Sequence, residues 1–402
     1  MKWITVQPLN GGIALGIEKI FGAPKQIINN SIPNNDCYVY YCNVIRQMNV
    51  EEIKCNSNLS DLDTSKIEKN VDLVCYIPFC SGLSLLNTKS CFLGDDTYEK
   101  NQNITLLTEF ILKEIKPKIA VFENSSNLIT NLGSKIREKL IKTALENGYS
   151  VTFESVNLID FGVPQKRKRC LVYFWKDNFA YIPKFKKKKP MKIDEYLSLI
   201  PESASLKDVF PFGKYYVKED DFWKFIEEKY SPKSMWEFLI NHSNSSSYSV
   251  LKFILENDYE DARKWLEKRN SSKLEKLVHA KTKKENNKNY WDDSPFVYSK
   301  GKYFPTLSTR QDRRLFYAFK KGNQIDERNL SIREFLHLMG MPHDYEYPRI
   351  EKRWIFIFQS CPVQFSEHLG KNAKMFLGNE LEKTNSKVLI ISQNRKIIEI
   401  IK

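Results

Sequence analysis

The sequence predicts an α/β protein, a doubly wound and mostly parallel sheet with a second, smaller domain, and three observations carry that prediction. Short apolar segments alternate with helical periodicity from Trp3 to about residue 180, as in parallel sheets covered by helices. The chain opens on strand, glycine turn and helix, the first unit of a nucleotide- or cofactor-binding fold. The pattern then changes at Lys184–Lys189, KFKKKK, beyond which the chain reads as helical and lysine-rich.

Taken in order, Trp3–Val6 is the first strand, Gln7–Gly12 a turn, and Ile13–Phe21 a helix with apolar residues at 13, 17, 20 and 21. Gly11-Gly12 by itself specifies only a turn. Gln26–Ile28 is a second strand ending in the polar run Asn29–Asp36, and Tyr38–Met48 is helical in pattern. The polar loop Asn58–Asp63 leads to Asp72–Tyr76, a buried strand whose carboxyl end passes into the turn Ile77–Gly82. Ile104–Ile115 is a helix stopped by Lys116-Pro117, Ile119–Phe122 a strand ending in Glu123-Asn124, and Ser134–Asn147 a helix closed by Gly148. Ser150–Leu158 and Leu171–Trp175 follow as strands. From Pro190 to about Tyr290 the reading is helical, with a polar tract at Asn241–Ser249. Phe304–Arg310 is a turn-rich loop, Ser331-Ile332-Arg333-Glu334 a capping box that starts a helix through Met339, and Gln359–Leu377 a loop entering a final helix.

Composition narrows the class. With 402 residues, 42% hydrophobic and 13% aromatic, the chain builds a real core and is not disordered. Its net charge of +14, from 63 Lys and Arg against 49 Asp and Glu, suits a polyanionic partner. Residues 184–290 hold 23 basic and 17 acidic side chains, so that insert is basic without being dominated by charge, and a solvated face accounts for any single lysine. Eight cysteines without CxxC pairing, and no signal peptide, predict reduced thiols in an intracellular protein. Cys37 and Cys42 lie too far from any histidine for a zinc site, so no metal is expected. No apolar run approaches the ~18 residues of a membrane span, so no membrane is expected either.

The stretch Val71–Ser84 organises the rest, because it presents Cys80 just past the carboxyl end of a strand, where α/β sheets place their chemistry. A thiol there can act as a nucleophile; a buried structural cysteine fits the same position. Three further stretches follow in order. They are Glu123-Asn124-Ser125, then Gln165-Lys166-Arg167-Lys168-Arg169 within the run Gly148–Phe174, and Arg328–Glu334 through Gly340-Met341-Pro342. Gln359-Ser360-Cys361-Pro362-Val363 closes the series. Together with Phe79-Cys80 they resemble the cytosine-C5 methyltransferase family over nearly the whole chain outside residues 184–300.

The resemblance implies a Rossmann-like methyltransferase fold with domains at 1–190 (catalytic), 191–300 (inserted target recognition) and 301–402 (the return completing the catalytic domain). It implies Cys80 as the nucleophile that adds to carbon 6 of cytosine, and Glu123 as the acid at ring nitrogen 3. Arg169 would hold the base carbonyl and neighbouring phosphate, with Arg167 in support and Asn124 beside the acid. Read alone, the run of Lys and Arg at 166–169 is a solvated basic turn; its place after Gly162-Val163-Pro164-Gln165 favours the site reading. Gln165, Arg167, Ser84, Thr306 and Arg310 are the substrate-binding candidates, although a plain turn explains Thr306 and Arg310 at least as well. The cofactor implied is S-adenosylmethionine, held by Gly11, Gly12, Asn29, Asn58, Leu59, Pro78, Gln359 and Ser360. The partner implied is double-stranded DNA, whose target base must be flipped out of the stack.

The cofactor half departs from the family pattern. Phe-x-Gly-x-Gly-Gly aligns on Gln7–Gly12, without its aromatic and first glycine. The ribose-binding acid falls near Asn29 or Asn30, and the adenine-side Asp falls on Asn58, with Asp61 close. Phe79 replaces the Pro before the nucleophile, and the family's Ser-Arg pair is replaced around Lys100–Asn103. Methyl transfer to DNA cytosine is the function expected. The alternatives are a protein needing a partner subunit, an inactive nucleic-acid-binding homologue, and an RNA cytosine-C5 methyltransferase.

Overall fold

Seven of the segments between Trp3 and Trp175 pair laterally, with Trp3–Val6 and Leu73–Tyr76 buried along their whole length as central parallel strands require. They are β1 (Trp3–Val6), β2 (Gln26–Asn30), β3 (Glu51–Cys55), β4 (Leu73–Tyr76), β5 (Ile119–Ser125), β6 (Ser150–Asn157) and β7 (Lys168–Trp175). With β8 (Val388–Ile391) and β9 (Ile397–Ile401) they make a nine-stranded sheet in the order β9-β8-β6-β7-β5-β4-β1-β2-β3. The computed structural model describes the chain except residues 31–36, 56–62, 84–93, 205–219, 243–247, 287–295, 298–302, 305, 308–315, 322–323 and 402.

The run β3-β2-β1-β4-β5 is parallel throughout and follows the doubly wound order. β7 is wedged antiparallel between β5 and β6, and β9 is antiparallel to β8, so the sheet is mostly parallel. Alternate residues face opposite layers. Ile4, Val6, Val74, Tyr76, Ala120 and Phe122 share a core with α2 (Glu99–Phe110) and α3 (Ser134–Glu146) through Ile104, Leu107, Leu140 and Ala144. On the other face lie α1 (Gly12–Phe21), whose following Gly22 carbonyl accepts from Trp3 Nε1 at 2.9 Å, and the C-terminal helix Val363–Leu377, whose Phe376 meets Trp175.

The chain divides into two compact units, residues 1–190 with 336–402, and residues 191–335. The second boundary falls inside the helix Ile332–Leu338, so residues 301–335, expected in the C-terminal return, sit within the second unit. That unit is helical, with α4 (Asp221–Tyr230), α5 (Met235–His242), α6 (Val250–Asn257), α7 (Tyr259–Lys268) and α8 (Lys273–Glu285). Its separate core includes Phe222, Trp223, Ile226, Leu239, Ile254 and Leu266. Asp220 and Ser249 cap α4 and α6 by accepting from the backbone N–H groups of Phe222 and Lys252. The unit also carries an antiparallel hairpin, Phe316–Lys321 with Gln324–Asn329.

Three expectations are corrected, and one strand joins those read from the sequence. β3 carries Glu51, Glu52 and Lys54 and reads as a polar stretch, which an edge strand tolerates because one side stays in water. The Tyr38–Met48 helix is shorter, an α-turn Cys37–Tyr40 running into a π-helical turn Tyr41–Ile45. Lys168 and Arg169 begin β7 instead of lying between strands. The helix expected to be last, now α9 (Val363–Leu377), is followed by the β8–β9 hairpin.

Candidate active site

The turn after β4 is held open by side chains from its neighbours. Phe79 N–H donates to Asn103 Oδ1 at 3.1 Å, and Phe79 O accepts from Asn124 Nδ2 at 3.4 Å. Leu83 O accepts from Asn127 Nδ2 at 2.8 Å and Ser125 Oγ at 3.2 Å, while Leu83 N–H donates to Cys80 O. A Cβ on Gly82 would lie 1.9 Å from Asn101 Oδ1, so only glycine lets the turn pass this close to the start of α2. Pro78 is buried and Cys80 half-buried, and Cys37, Cys42, Cys75, Cys80, Cys170 and Cys361 are free thiols.

Glu123 sits on β5 and Arg169 on β7, where Ser125 pairs with Arg169, so the two are diagonal neighbours across an antiparallel ladder. Arg169 Nε lies 2.6 Å from Glu123 Oε1, and Glu123 is only 5% exposed. Burial pushes the Glu123 carboxyl up, against the pull of Arg169 and Arg167. The Cys80 thiol is raised by burial and then by Glu123, and the same two arginines oppose that rise. Cys80, Glu123, Arg167 and Arg169 therefore form one electrostatic group at the carboxyl ends of β4 and β5.

Arg167 is inside the group and nearly fully buried, with Nη2 donating to Phe358 O at 2.8 Å and Ser360 O at 3.4 Å. It ties the basic motif to the closing loop. Gln165, fully buried, donates through Nε2 to Leu338 O at 3.4 Å. Ser360 Oγ accepts from Gly12 N–H at 3.0 Å, linking that loop to the first turn, and Gln359 is exposed. Thr306 lies half-buried in the second unit. Asn58, Leu59, Ser84 and Arg310 lie outside the described residues.

The turn between β1 and α1 keeps glycine-type geometry where glycine is missing. Leu9 has φ +53° and Gln7 +49°, while Gly11 at +79° packs so close to Tyr38 that a Cβ would lie 2.3 Å from Cδ2. Asn10 is fully buried, and neither Nδ2 nor Oδ1 has a hydrogen-bond partner; its carbonyl accepts from the Tyr345 hydroxyl at 2.5 Å. At the end of β2, Asn29 is 2% exposed, donates through Nδ2 to Glu52 Oε1 at 3.2 Å, and leaves Oδ1 without a partner. Sequence reading passed over Asn10, Glu52 and Asn103. Asn10 lay inside the turn already singled out, and its polarity among apolar neighbours was the available clue.

The description of C-5 cytosine-specific DNA methylases matches residues 10–374. The chain belongs to that family. Among curated methylases it is similar to the type II methyltransferase M1.HphI of Haemophilus parahaemolyticus, 28% identical over 42% of this chain and 44% of the relative. It is likewise similar to M.HaeII of Haemophilus aegyptius, 31% identical over 52% of this chain and 59% of the relative. The matches thus span about half the length of these relatives. In fold, the chain resembles the Entamoeba histolytica methyltransferase EhMeth, with a TM-score of 0.55 and 13% identity over 94% of this chain and 98% of that one. A putative DNA modification methyltransferase encoded within an E. coli prophage gives a TM-score of 0.52 at 16% identity, over 94% of this chain and 99% of that one.

Family membership implies S-adenosylmethionine as methyl donor. The unpartnered buried atoms of Asn10 and Asn29 suit such a ligand, since a buried amide without partners costs about 1–3 kcal/mol per group until something polar satisfies it. Both sit near the carboxyl ends of β1 and β2, where doubly wound sheets hold nucleotides.

Proposed function

We propose that the protein is a DNA cytosine-C5 methyltransferase that works through a covalent Cys80 adduct. The observation that carries this reading is the grouping of a half-buried thiol, Cys80, with the buried Glu123 and its partner Arg169. Carbon 5 of cytosine is a poor nucleophile, and a sulfur adding to carbon 6 makes it enamine-like. Cys80 gives up its proton to solvent, and its thiolate forms the S–C6 bond as the C5=C6 π pair shifts through the ring toward nitrogen 3. Glu123, held protonated to higher pH than an ordinary carboxyl, gives its proton to ring nitrogen 3, where the displaced electron pair arrives, and is left as a carboxylate beside Arg169. Arg169 balances Glu123 and offers its remaining N–H groups to the base carbonyl or phosphate. S-adenosylmethionine, when bound, would supply a methyl cation equivalent to carbon 5. Loss of the carbon 5 proton to solvent then re-forms the C5=C6 bond as the S–C6 bond breaks, and the thiolate leaves while Glu123 regains the proton from nitrogen 3.

Asn10, Asn29, Gly11, Gly12 and Ser360 are the residues that would hold the donor, and the basic second unit would grip DNA while the base is flipped out. DNA is favoured over RNA as substrate because the matching family is defined by DNA methylation.

The test is transfer of tritiated methyl groups to mixed-sequence DNA and, in parallel, to tRNA, with a Cys80→Ala variant. DNA containing 5-fluorocytosine gives a second readout, since carbon 5 then has no proton to lose and the adduct persists in denaturing gels. Label in DNA and a Cys80-dependent adduct support the proposal. Label in tRNA alone replaces DNA by RNA. Intact protein that binds DNA but neither S-adenosylmethionine nor its demethylated product would be a nucleic-acid-binding homologue, and the enzyme assignment would fall.

A further inference from the structure

We infer that Asn29 takes the place of the missing ribose-binding acid through its Oδ1, and that Glu52 on the neighbouring edge strand is the positioning residue that aims it. This rests on the reading of the large unit as an S-adenosylmethionine-binding enzyme. In doubly wound nucleotide sites an Asp or Glu accepts from the ribose hydroxyls. Here the end of β2 offers asparagine, an amide with one donating and one accepting end.

Which end faces which way is fixed by chemistry. Glu52 is a carboxylate and only accepts, so the amide can meet it only through Nδ2, as it does at 3.2 Å. The accepting Oδ1 is then forced to the opposite side, where it is buried and unpartnered. β2 and β3 run parallel with Ile27 opposite Glu52 and Asn29 opposite Lys54, which brings Glu52 diagonally beside Asn29. Lys54 Nζ lies 3.4 Å from Glu52 Oε2 at the sheet edge. A charged acceptor on one end of an amide polarises it and strengthens the acceptor at the other. The negative charge has thus moved one strand outward, and its effect reaches the ribose position through the amide. The ligand recognised is a nucleoside with a free ribose diol.

The test is calorimetric binding of S-adenosylhomocysteine and of its 2′-deoxy analogue to the whole protein. Wild type should prefer the hydroxylated ligand about tenfold, as expected for one buried hydrogen bond. Glu52→Ala frees the amide to turn and should reduce that preference to within about twofold, whereas Glu52→Gln, which still accepts through its carbonyl, should keep part of it. Asn29→Asp alone sets two carboxylates side by side and should weaken binding. Adding Glu52→Gln converts the pair into an acid supported by a donor and should restore binding to wild-type strength or better. Since a merely structural role for Glu52 would move stability and not the 2′-hydroxyl preference, thermal melts of each variant accompany the titrations. Equal preference in wild type and Glu52→Ala, or no recovery in the double variant, overturns the inference while leaving the enzyme reading intact. A folded wild type that binds neither ligand overturns both.

Discussion

Glu123 and Cys80 make opposite demands on the same few ångströms. In the proposed reaction Glu123 keeps a proton to give to the base, and burial raises its carboxyl in the direction that role needs. The same side chain, when ionised, raises the thiol that has to lose its proton. Removing the carboxylate therefore has two effects of opposite sign. Glu123→Gln should lower methyl transfer about 10²–10⁴-fold, the range for a lost general acid, and yet speed alkylation of Cys80 by iodoacetamide at pH 8, because the thiol titrates lower without the neighbouring charge. Peptide mapping by mass spectrometry reads the second effect separately. Across pH, wild-type Cys80 should react with a midpoint above that of an ordinary thiol, about 8.5, since its reactive thiolate is the form that burial disfavours.

At the scale of elements, the first turn and the two helices behind it are governed by close approach. Gly12 and Gly16 lie four residues apart on one face of α1, where a Cβ would meet Cys361 O in the loop before α9 at 1.9 Å and Ser366 Oγ on α9 at 2.0 Å. Ser366 Oγ uses that approach to donate to Gly12 O at 2.6 Å. Gly16→Ala should destabilise the protein by about 1–3 kcal/mol through overpacking, measured by urea denaturation. Leu9 presents the reverse case. It holds φ +53° with a side chain that disfavours it, so Leu9→Gly should stabilise by up to about 1 kcal/mol once the left-handed penalty is removed.

For the whole molecule, the lock that closes the catalytic unit lies on β6, away from the thiol. Glu154 is fully buried and binds Tyr173 on β7 at 2.9 Å, His368 on α9 at 2.9 Å, and Arg395 between β8 and β9. One carboxylate thus joins the centre of the sheet to the last helix and the terminal hairpin. Burial alone would push Glu154 up, but His368 and Arg395 win and hold it below the usual carboxylate range. A depressed carboxyl contributes stability that is complete above its unfolded value, about 4.3, and is lost as pH falls through the lower folded value. Glu154→Gln should cost about 1–3 kcal/mol at pH 7, because the carboxylate that Tyr173, His368 and Arg395 share is replaced by an amide that can no longer accept at both ends. Stability of the variant should also fall less steeply below pH 4, as chemical denaturation across pH would show.

The amino-acid sequence by itself determined the alternation that makes a doubly wound sheet, and it placed Cys80, Glu123 and the basic motif after successive strands. Apolar runs and glycine or proline stops are local, and local features are readable in order along a chain. β3 escaped because charges are tolerated on an edge strand, and whether a strand is at the edge depends on its neighbours. The terminal hairpin is stabilised by pairing Val388–Ile391 with β6, residues some 240 positions earlier, which no local pattern announces. The same holds within the site. Sequence placed Arg167 among substrate-binding residues, whereas only the folded chain decided that its guanidinium meets the Phe358 and Ser360 carbonyls. Asn10 and the Asn29–Glu52 pair gain their meaning from burial without partners and from a neighbouring strand, and both are properties of three-dimensional proximity.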